Sequence, residues 1–583
     1  MKNSLLIFIL LCTSTFIANA QTPKAELAQL ISEDWSFRMQ EYPAYAASLG
    51  YESDRTKFAE VSVATHERRA DFWRDVLKKL NAIDRESLDS EAQVNYDMFK
   101  FMLEDDVAQV EYQSYLIPFN SDSGFHSSFA FSASDFSFDS VKSYEQYIGR
   151  LNGFKKYVDD HITLMRIGIK KGMTLPKIIL TDYEKGMEAY ISEKAEDSYF
   201  YEPFKTMNGI DKTQQIRLRK QARKAVNQSI TPGYQTLSDF IKNEYRPNAR
   251  TTLGASHFPK GKKYYQQRVK YYTTLDISMD EIYQVGLDEV ARIRKGMEEI
   301  IAEVGFEGTF EEFIYFLRTD SQFYCDTPEC LLKEASYIAK RIDGRLPRVF
   351  GKLPSLPYGV EPVPDEIAPR YTTGRYVPGS YANHKSGTYW VNTYDLKNRP
   401  LYNLPALTLH EAVPGHHLQI ALAEELKDLP DFRQHTYLSS YGEGWALYSE
   451  WLGQELGIYQ TPYEEFGRLT YEMWRACRLV IDVGLHAKDW TRGQAVDYLA
   501  SNTALALHNV NTEIDRYIGW PGQALSYKAG ELKIRELRYK AENELGGGFD
   551  VREFHYMILK NGSIPLFTLE TIIDEWIENQ KKM

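Results

Sequence analysis

The sequence predicts a mainly α-helical protein with one small β element placed just before a histidine-rich helix. Three observations predict it. Apolar residues recur at three- and four-residue spacing among charges along most of the chain. Helix-start signals come regularly: Ser278 with Glu281, Thr309 with Glu312 and Thr491 with Gln494 form capping boxes, while Thr327-Pro328 and Thr461-Pro462 set a capping hydroxyl before Pro at the first helical position. Against this background the run Thr388-Tyr389-Trp390-Val391-Asn392-Thr393 stands out as rich in β-formers.

Taken in order, residues 1–20 carry a Lys near the start, an apolar run from Leu5 to Leu11 and Ala18-Asn19-Ala20 at the end, the pattern of a secretory signal peptide that leaves Gln21 first. Cys12 follows Leu11, which is not the small residue a lipoprotein signal places there. No other stretch offers 18 consecutive apolar residues, so no membrane span is expected. Helices are expected over 24–48, 63–81, 91–113, 143–172 and 213–244, interrupted by a Ser-, Phe- and Asp-rich loop at 118–138. Residues 346–380 hold seven Pro and introduce the β-rich run. We divide the mature chain into a helical region, 21–345, and a metal-binding catalytic region, 346–583, that folds together with it.

Of 583 residues, 43% are hydrophobic and 26% charged, an ordinary globular balance with ample core. The formal charge of −12 is spread along the chain and no dense basic cluster occurs, which excludes nucleic acid as the expected partner. Three cysteines in the mature chain (Cys325, Cys330 and Cys477) do not make a disulfide scaffold. A Cys325–Cys330 bridge and free buried thiols both fit the pattern. Oligomeric state is left open.

Residues 404–419, LPALTLHEAVPGHHLQ, carry the chemistry. His410 and Glu411 are adjacent, and His416 and His417 follow a Pro414-Gly415 break. Imidazole is the commonest protein ligand for zinc, and a carboxylate beside such a metal is the natural acceptor for a proton from water. In the familiar H-E-x-x-H pattern the two imidazoles lie one helical turn apart; here position i+4 is Pro414. On an unbroken helix His416 points away from His410, and His417 lies about 10 Å along the axis. Pro414 and Gly415 are expected to kink or bulge the helix, and a widened turn brings His416 beside His410. His416 is therefore the preferred second ligand and His417 the alternative.

A third ligand is expected at Glu443, a carboxylate between Gly442 and Gly444 on the otherwise apolar helix SSYGEGWALYSEWLG. Glu450, seven residues on, shares its face and either supports the site or makes a plain salt bridge. The run 388–393, with Tyr389 and Asn392, either binds substrate by accepting a peptide as a further strand or is a structural hairpin.

HExxPGH at 410–416, EGWALYSE at 443–450, RLVIDVGLH at 478–486 and RYIGWPGQALSYKAGELKI at 516–534 resemble bacterial domain-of-unknown-function family 885, grouped with the Glu-type zincin peptidases that include angiotensin-converting enzyme, neurolysin and thermolysin. The resemblance implies a multi-helical zincin-like scaffold with a deep cleft. It implies His410, His416 and Glu443 as zinc ligands and Glu411 as general base. Zincin chemistry also uses a Tyr or His to stabilise the oxyanion, for which His486, Tyr527 and Arg516 are candidates. Arg516 or Lys528 is the candidate for binding a substrate carboxylate. An Asp that often follows the zincin Glu by four residues is replaced here by Leu447, so the first His must be oriented from elsewhere. The expectation is an exported zinc hydrolase, a metallopeptidase of carboxypeptidase or oligopeptidase type acting on a peptide or small amide. The alternatives are a zinc hydrolase of esters or non-peptide amides, and a non-catalytic binding protein with a degenerate site.

Overall fold

The computed structural model describes residues 22–582, except 122, 132, 134, 135, 366 and 381–383. The leader expected over 1–20 lies outside the described residues. The N-terminal helices fall at Pro23–Glu41 with Pro43–Ser48, Val63–Leu80, Ser90–Glu111, Val141–Lys171 and Lys212–Ala225, the last running on through Thr231–Phe240. The segment 118–138 is not loop throughout: it contains a short helix, Phe125–Phe131, whose Phe129 and Ala130 pack into the core. All five helix-start signals are in place. The three capping boxes close in both directions, and Thr327 and Thr461 accept from Cys330 N and Glu464 N.

The β element is a three-stranded sheet in the order β1-β3-β2, formed by β1 (Tyr358–Pro362), β2 (Gly374–Val377) and β3 (Gly387–Val391). β1 runs parallel to β3 and β2 antiparallel to it, with Tyr376 opposite Tyr389. This corrects the reading of the β-rich run. β3 is the central strand, so neither of its sides is open to a substrate. Tyr389 is buried with its hydroxyl 3.4 Å from Thr408 Oγ1, and Asn392 spends its amide on the carbonyls of Ala368, Tyr371 and Thr372. The sheet's two edges are those of β1 and β2.

One buried apolar cluster runs from Leu27 to Ile577, and Trp35 stacks on His435 at 5.9 Å, so residues from both ends of the chain share a core. At its centre lies the helix Pro462–Ala487 (the Arg475 helix), buried from Phe466 to His486. A helix enclosed on all sides must satisfy its polar side chains internally. The helix Ser439–Leu452 (the Glu443 helix) crosses Ser526–Leu545 (the Tyr527 helix) at two glycines. A Cβ on Gly530 would stand 2.0 Å from Ser440 O and 2.7 Å from Gly444 Cα, so only glycine permits this approach. Cys325 and Cys330 are bonded, and Cys477 is free and buried. No described helix is long and apolar enough to cross a membrane.

Candidate metal centre

The histidine-rich stretch is broken rather than bulged. One helix ends at Glu411 (Leu404–Glu411, the His410 helix) and a second starts at His416 (His416–Glu424, the His416 helix). Between them Ala412 and Gly415 leave helical geometry, and the Val413–Pro414 bond is cis. Gly415 is enforced by contact: a Cβ there would lie 1.9 Å from His410 O. Trp445 Nε1 donates to Pro414 O at 2.8 Å and so ties the break to the Glu443 helix.

This path sets the His410 and His416 rings 4.8 Å apart and perpendicular. The Nε2 atom of each lies 3.5 Å from Glu443 Oε2, and one ligand atom from each of the three residues falls within 4.8 Å of the others. Two imidazoles and a carboxylate are a zinc donor set, and tetrahedral zinc with bonds near 2.0–2.1 Å separates its donors by about 3.3 Å. The residues fit the ion. Among the described residues no other group of His, Cys, Asp or Glu converges in this way.

His417 is excluded as a ligand because its Nδ1 lies 3.0 Å from the Tyr376 hydroxyl and its ring packs on Tyr358. His410 is oriented by Glu450, whose Oε1 lies 2.7 Å from His410 Nδ1. Arg475 stands 3.6 Å behind that carboxylate. Glu450 thus does from two turns along the helix what an Asp at position 447 would have done. Burial pulls the His410 imidazole down, but Glu443 and Glu450 against it outweigh that and raise it to about 10. Burial pulls the Glu443 carboxyl up, but His416 and His410 hold it well below the usual range. Glu411 keeps a partly exposed carboxylate whose Oε2 accepts from Tyr376 N of β2 at 2.8 Å.

Three expected functional residues are placed elsewhere or otherwise occupied. His486 is fully buried with both ring nitrogens on backbone groups, Ala255 N (3.2 Å) and Tyr517 O (3.0 Å), so it has nothing to offer an oxyanion. Lys528 is fully buried and saturated by Glu289, Glu472 and Glu531 at 2.8–2.9 Å, so it is not a receptor for a substrate carboxylate. Arg516 turns to Gln523, Glu513 and the Tyr527 hydroxyl, and none of these contacts reaches the metal ligands. Tyr527 itself lies under the Arg478 guanidinium, 4.1 Å from its ring centre.

Two residues that sequence reasoning missed do face the centre. The end of the Tyr437 side chain packs on Gly442, where a Cβ would meet the hydroxyl at 2.2 Å, one residue before Glu443. The residue is 46% exposed overall, but desolvation at its packed hydroxyl end first, then Glu443, Tyr527 and Glu411, hold that hydroxyl above an ordinary phenol. Desolvation pulls the Arg375 guanidinium of β2 down, but Tyr371, Glu411 and Glu443 outweigh it and raise it above the usual arginine range. The available signal was Gly442: a glycine in the first turn of an otherwise apolar helix asks what presses against it.

The chain matches the family described as "Bacterial protein of unknown function (DUF885)" over residues 43–573. No curated relative matches it. Among solved structures it is similar to a "putative lipoprotein" from Colwellia psychrerythraea, with 30% identity, TM-score 0.87, and 96% of this chain and 100% of that one covered. It shares its fold with a "putative lipoprotein of unknown function" from Shewanella oneidensis, with 18% identity, TM-score 0.74, and 94% and 99% covered. With the family spanning nearly the whole chain and a relative aligned over its full length, this protein belongs to bacterial family DUF885.

Proposed function

We propose that the protein is a zinc-dependent hydrolase, a metallopeptidase of the zincin type. The observation that carries this reading is the convergence of His410, His416 and Glu443 beside a Glu411 carboxylate anchored on the edge of a β-sheet. A zinc ion held by those three side chains would supply Lewis acidity and acidify water. Glu411 takes the proton of the attacking water and returns it to the leaving amine. Tyr437 donates its hydroxyl to the oxyanion that develops on the scissile carbonyl. Glu450, with Arg475 behind it, keeps the His410 ring turned toward Glu443.

The outer edge of β2 favours a peptide over an ester. Thr373 O accepts from Asn392 N, which puts Thr373 in register with β3 and turns the backbone groups of Gly374 and Tyr376 outward. Glu411 takes Tyr376 N, so an extended peptide added to this edge runs past the general base. Export is part of the proposal, supported by the apolar leader and by relatives described as putative lipoproteins.

The test is metal analysis of the purified protein, followed by turnover of peptides with free and blocked C-termini beside simple esters, for wild type and Glu411→Gln. Zinc retained and peptide cleavage abolished in the variant is the expected result. Cleavage of esters alone would sink the peptidase reading. Unchanged behaviour of the variant would leave a binding protein.

A further inference from the structure

A second concavity is lined in part by the His410 and Arg475 helices and by residues of cationic charge. It encloses about 290 Å³, at the small end of the range for ligand sites, so it suits one bulky group rather than a length of peptide. Its apolar wall comes from elements that also build the centre: Leu404 and Leu407 from the His410 helix, and Tyr471 and Trp474 from the Arg475 helix. Thr373, at the head of β2, lines it as well. Arg475 lies 4.8 Å from the centre of the Tyr471 ring and 4.3 Å from that of Trp474.

Its polar wall is cationic. Arg318, near the end of the helix Phe310–Thr319, and Arg399, just before the His410 helix, both line the cavity, with Lys397 alongside. Each guanidinium is fixed by carbonyls. Arg318 Nη2 donates to Thr503 O and Leu505 O at 2.9 and 2.7 Å, and Arg399 Nε and Nη1 donate to Asn392 O and Asn398 O at 3.1 Å each. Carbonyls position a guanidinium without neutralising it. Among the described residues no carboxylate acts on Arg318, and Arg399 feels Asp395 less than it feels its own burial, so both are pulled below the usual arginine range. Arg318 Nε has no protein partner. Other arginines meet carboxylates, as Arg478 does Glu513 and Arg468 does Glu472, while Arg433, like the cavity pair, is held by neutral oxygens, those of Asn95 and Asn561.

A positioned, unneutralised guanidinium pair beside an aromatic and aliphatic wall selects a carboxylate carried on an apolar body, since the guanidinium fork matches a carboxylate in two parallel hydrogen bonds. We propose that this cavity is the subsite for an aromatic or large aliphatic residue bearing a free carboxylate, the C-terminal residue of the substrate or the released product. This rests on the hydrolase reading for its biological meaning, but not for its test.

The experiment is isothermal titration of the full-length, zinc-stripped protein with 3-phenylpropionate and with 3-phenylpropionamide, which differ in charge and little in shape. The acid is expected to bind at least tenfold more tightly than the amide. Arg399→Gln is expected to abolish that preference while leaving the amide unchanged. Ala506→Trp, which puts a bulky side chain into the cavity wall, is expected to abolish binding of both at an unchanged melting temperature. Equal binding of acid and amide, no binding of either, or acid binding that survives both substitutions overturns the assignment. None of those outcomes bears on zinc content or on Glu411→Gln, so failure of the subsite and failure of the hydrolase reading are separable.

Discussion

Replacing Glu450 separates an oriented metal ligand from a histidine that merely happens to be nearby. Glu450 and His410 are both nearly excluded from solvent, with side chains 1% and 4% exposed and 2.7 Å between Oε1 and Nδ1. Glu450→Gln keeps the volume and an acceptor oxygen but removes the charge. A hydrogen bond to a charged group contributes about 1.5–3 kcal/mol and a neutral one about 0.5–1.5 kcal/mol. The exchange therefore costs roughly 1–1.5 kcal/mol, close to tenfold in zinc affinity. Glu450→Ala loses the contact altogether and leaves Arg475 without the carboxylate that stands 3.6 Å from it, so its loss moves toward 100-fold, the upper end for partners of metal-bound histidines. Zinc dissociation constants measured by competition with a chromophoric chelator, with melting temperatures alongside, give the order wild type, Gln, Ala. Equal affinities for all three folded proteins would refute the claim that Glu450 orients His410 for a metal.

Four further outcomes follow from particular contacts. Gly415→Ala puts a methyl 1.9 Å from His410 O, so it is expected to lose zinc binding and at least about 3 kcal/mol of stability, read by metal content and chemical denaturation. Tyr437→Phe is expected to lower kcat by about 10²–10³ with zinc content unchanged, as removal of an oxyanion donor does. Lys528→Met leaves Glu289, Glu472 and Glu531 facing one another in the core and is expected to cost about 3–5 kcal/mol in urea unfolding, with the first-formed peptide products unaltered. The fourth concerns pH. His161 is buried among Phe125 and Tyr157, neither ring nitrogen has a protein partner, and burial holds it down to about 3. Below pH 6.5 the unfolded chain takes up a proton that the folded chain refuses, so stability falls by about 1.4 kcal/mol per pH unit from 6.5 toward 3 on account of this group. His161→Phe is expected to flatten the curve of unfolding free energy against pH by that slope, and an unchanged curve would show that His161 is already protonated in the fold.

What the sequence made legible was local. Helix starts such as Ser278 with Glu281 could be placed because a cap and its partner amide are three residues apart and need nothing else. The ligand types, and the break that brings them together, were written in Pro414 and Gly415. The illegible part lay in pairings across long separations. Lys528 and His486 look functional on apolar helices because a polar group there needs a partner. Partners that include Glu289 and Ala255, more than 200 residues away, make both residues structural. The strand assignment failed for a different reason. β3 has the strongest β-forming composition because both of its sides are paired and four of its five residues are buried, whereas the available edge, Gly374-Arg375-Tyr376-Val377, is short and partly polar. β-propensity reports burial, and burial is the opposite of availability. Arg375 escaped notice in the same way, since nothing local connects it to Glu443, whereas Gly442 was a local signal for Tyr437.

The balance of buried charge bears most directly on the metal. In the network around Lys528, the cations Lys528, Arg292, Arg468 and Arg535 meet the carboxylates Glu289, Glu465, Glu472 and Glu531, four against four. Around His410 the count differs. Glu411, Glu443 and Glu450 crowd two imidazoles, with Arg475 set 3.6 Å behind Glu450 and Arg375 on the exposed face of β2. Three carboxylates against two guanidiniums leave one negative charge in excess while both imidazoles are neutral, in a setting where uncompensated charge is expensive. An imidazolium at His410 relieves that excess by a single charge, and does so by occupying the nitrogen that faces Glu443. A dication at the same point relieves it as well and is met by two imidazole nitrogens, each 3.5 Å from Glu443 Oε2. Electrostatics and geometry thus both favour the proposed ion at this point.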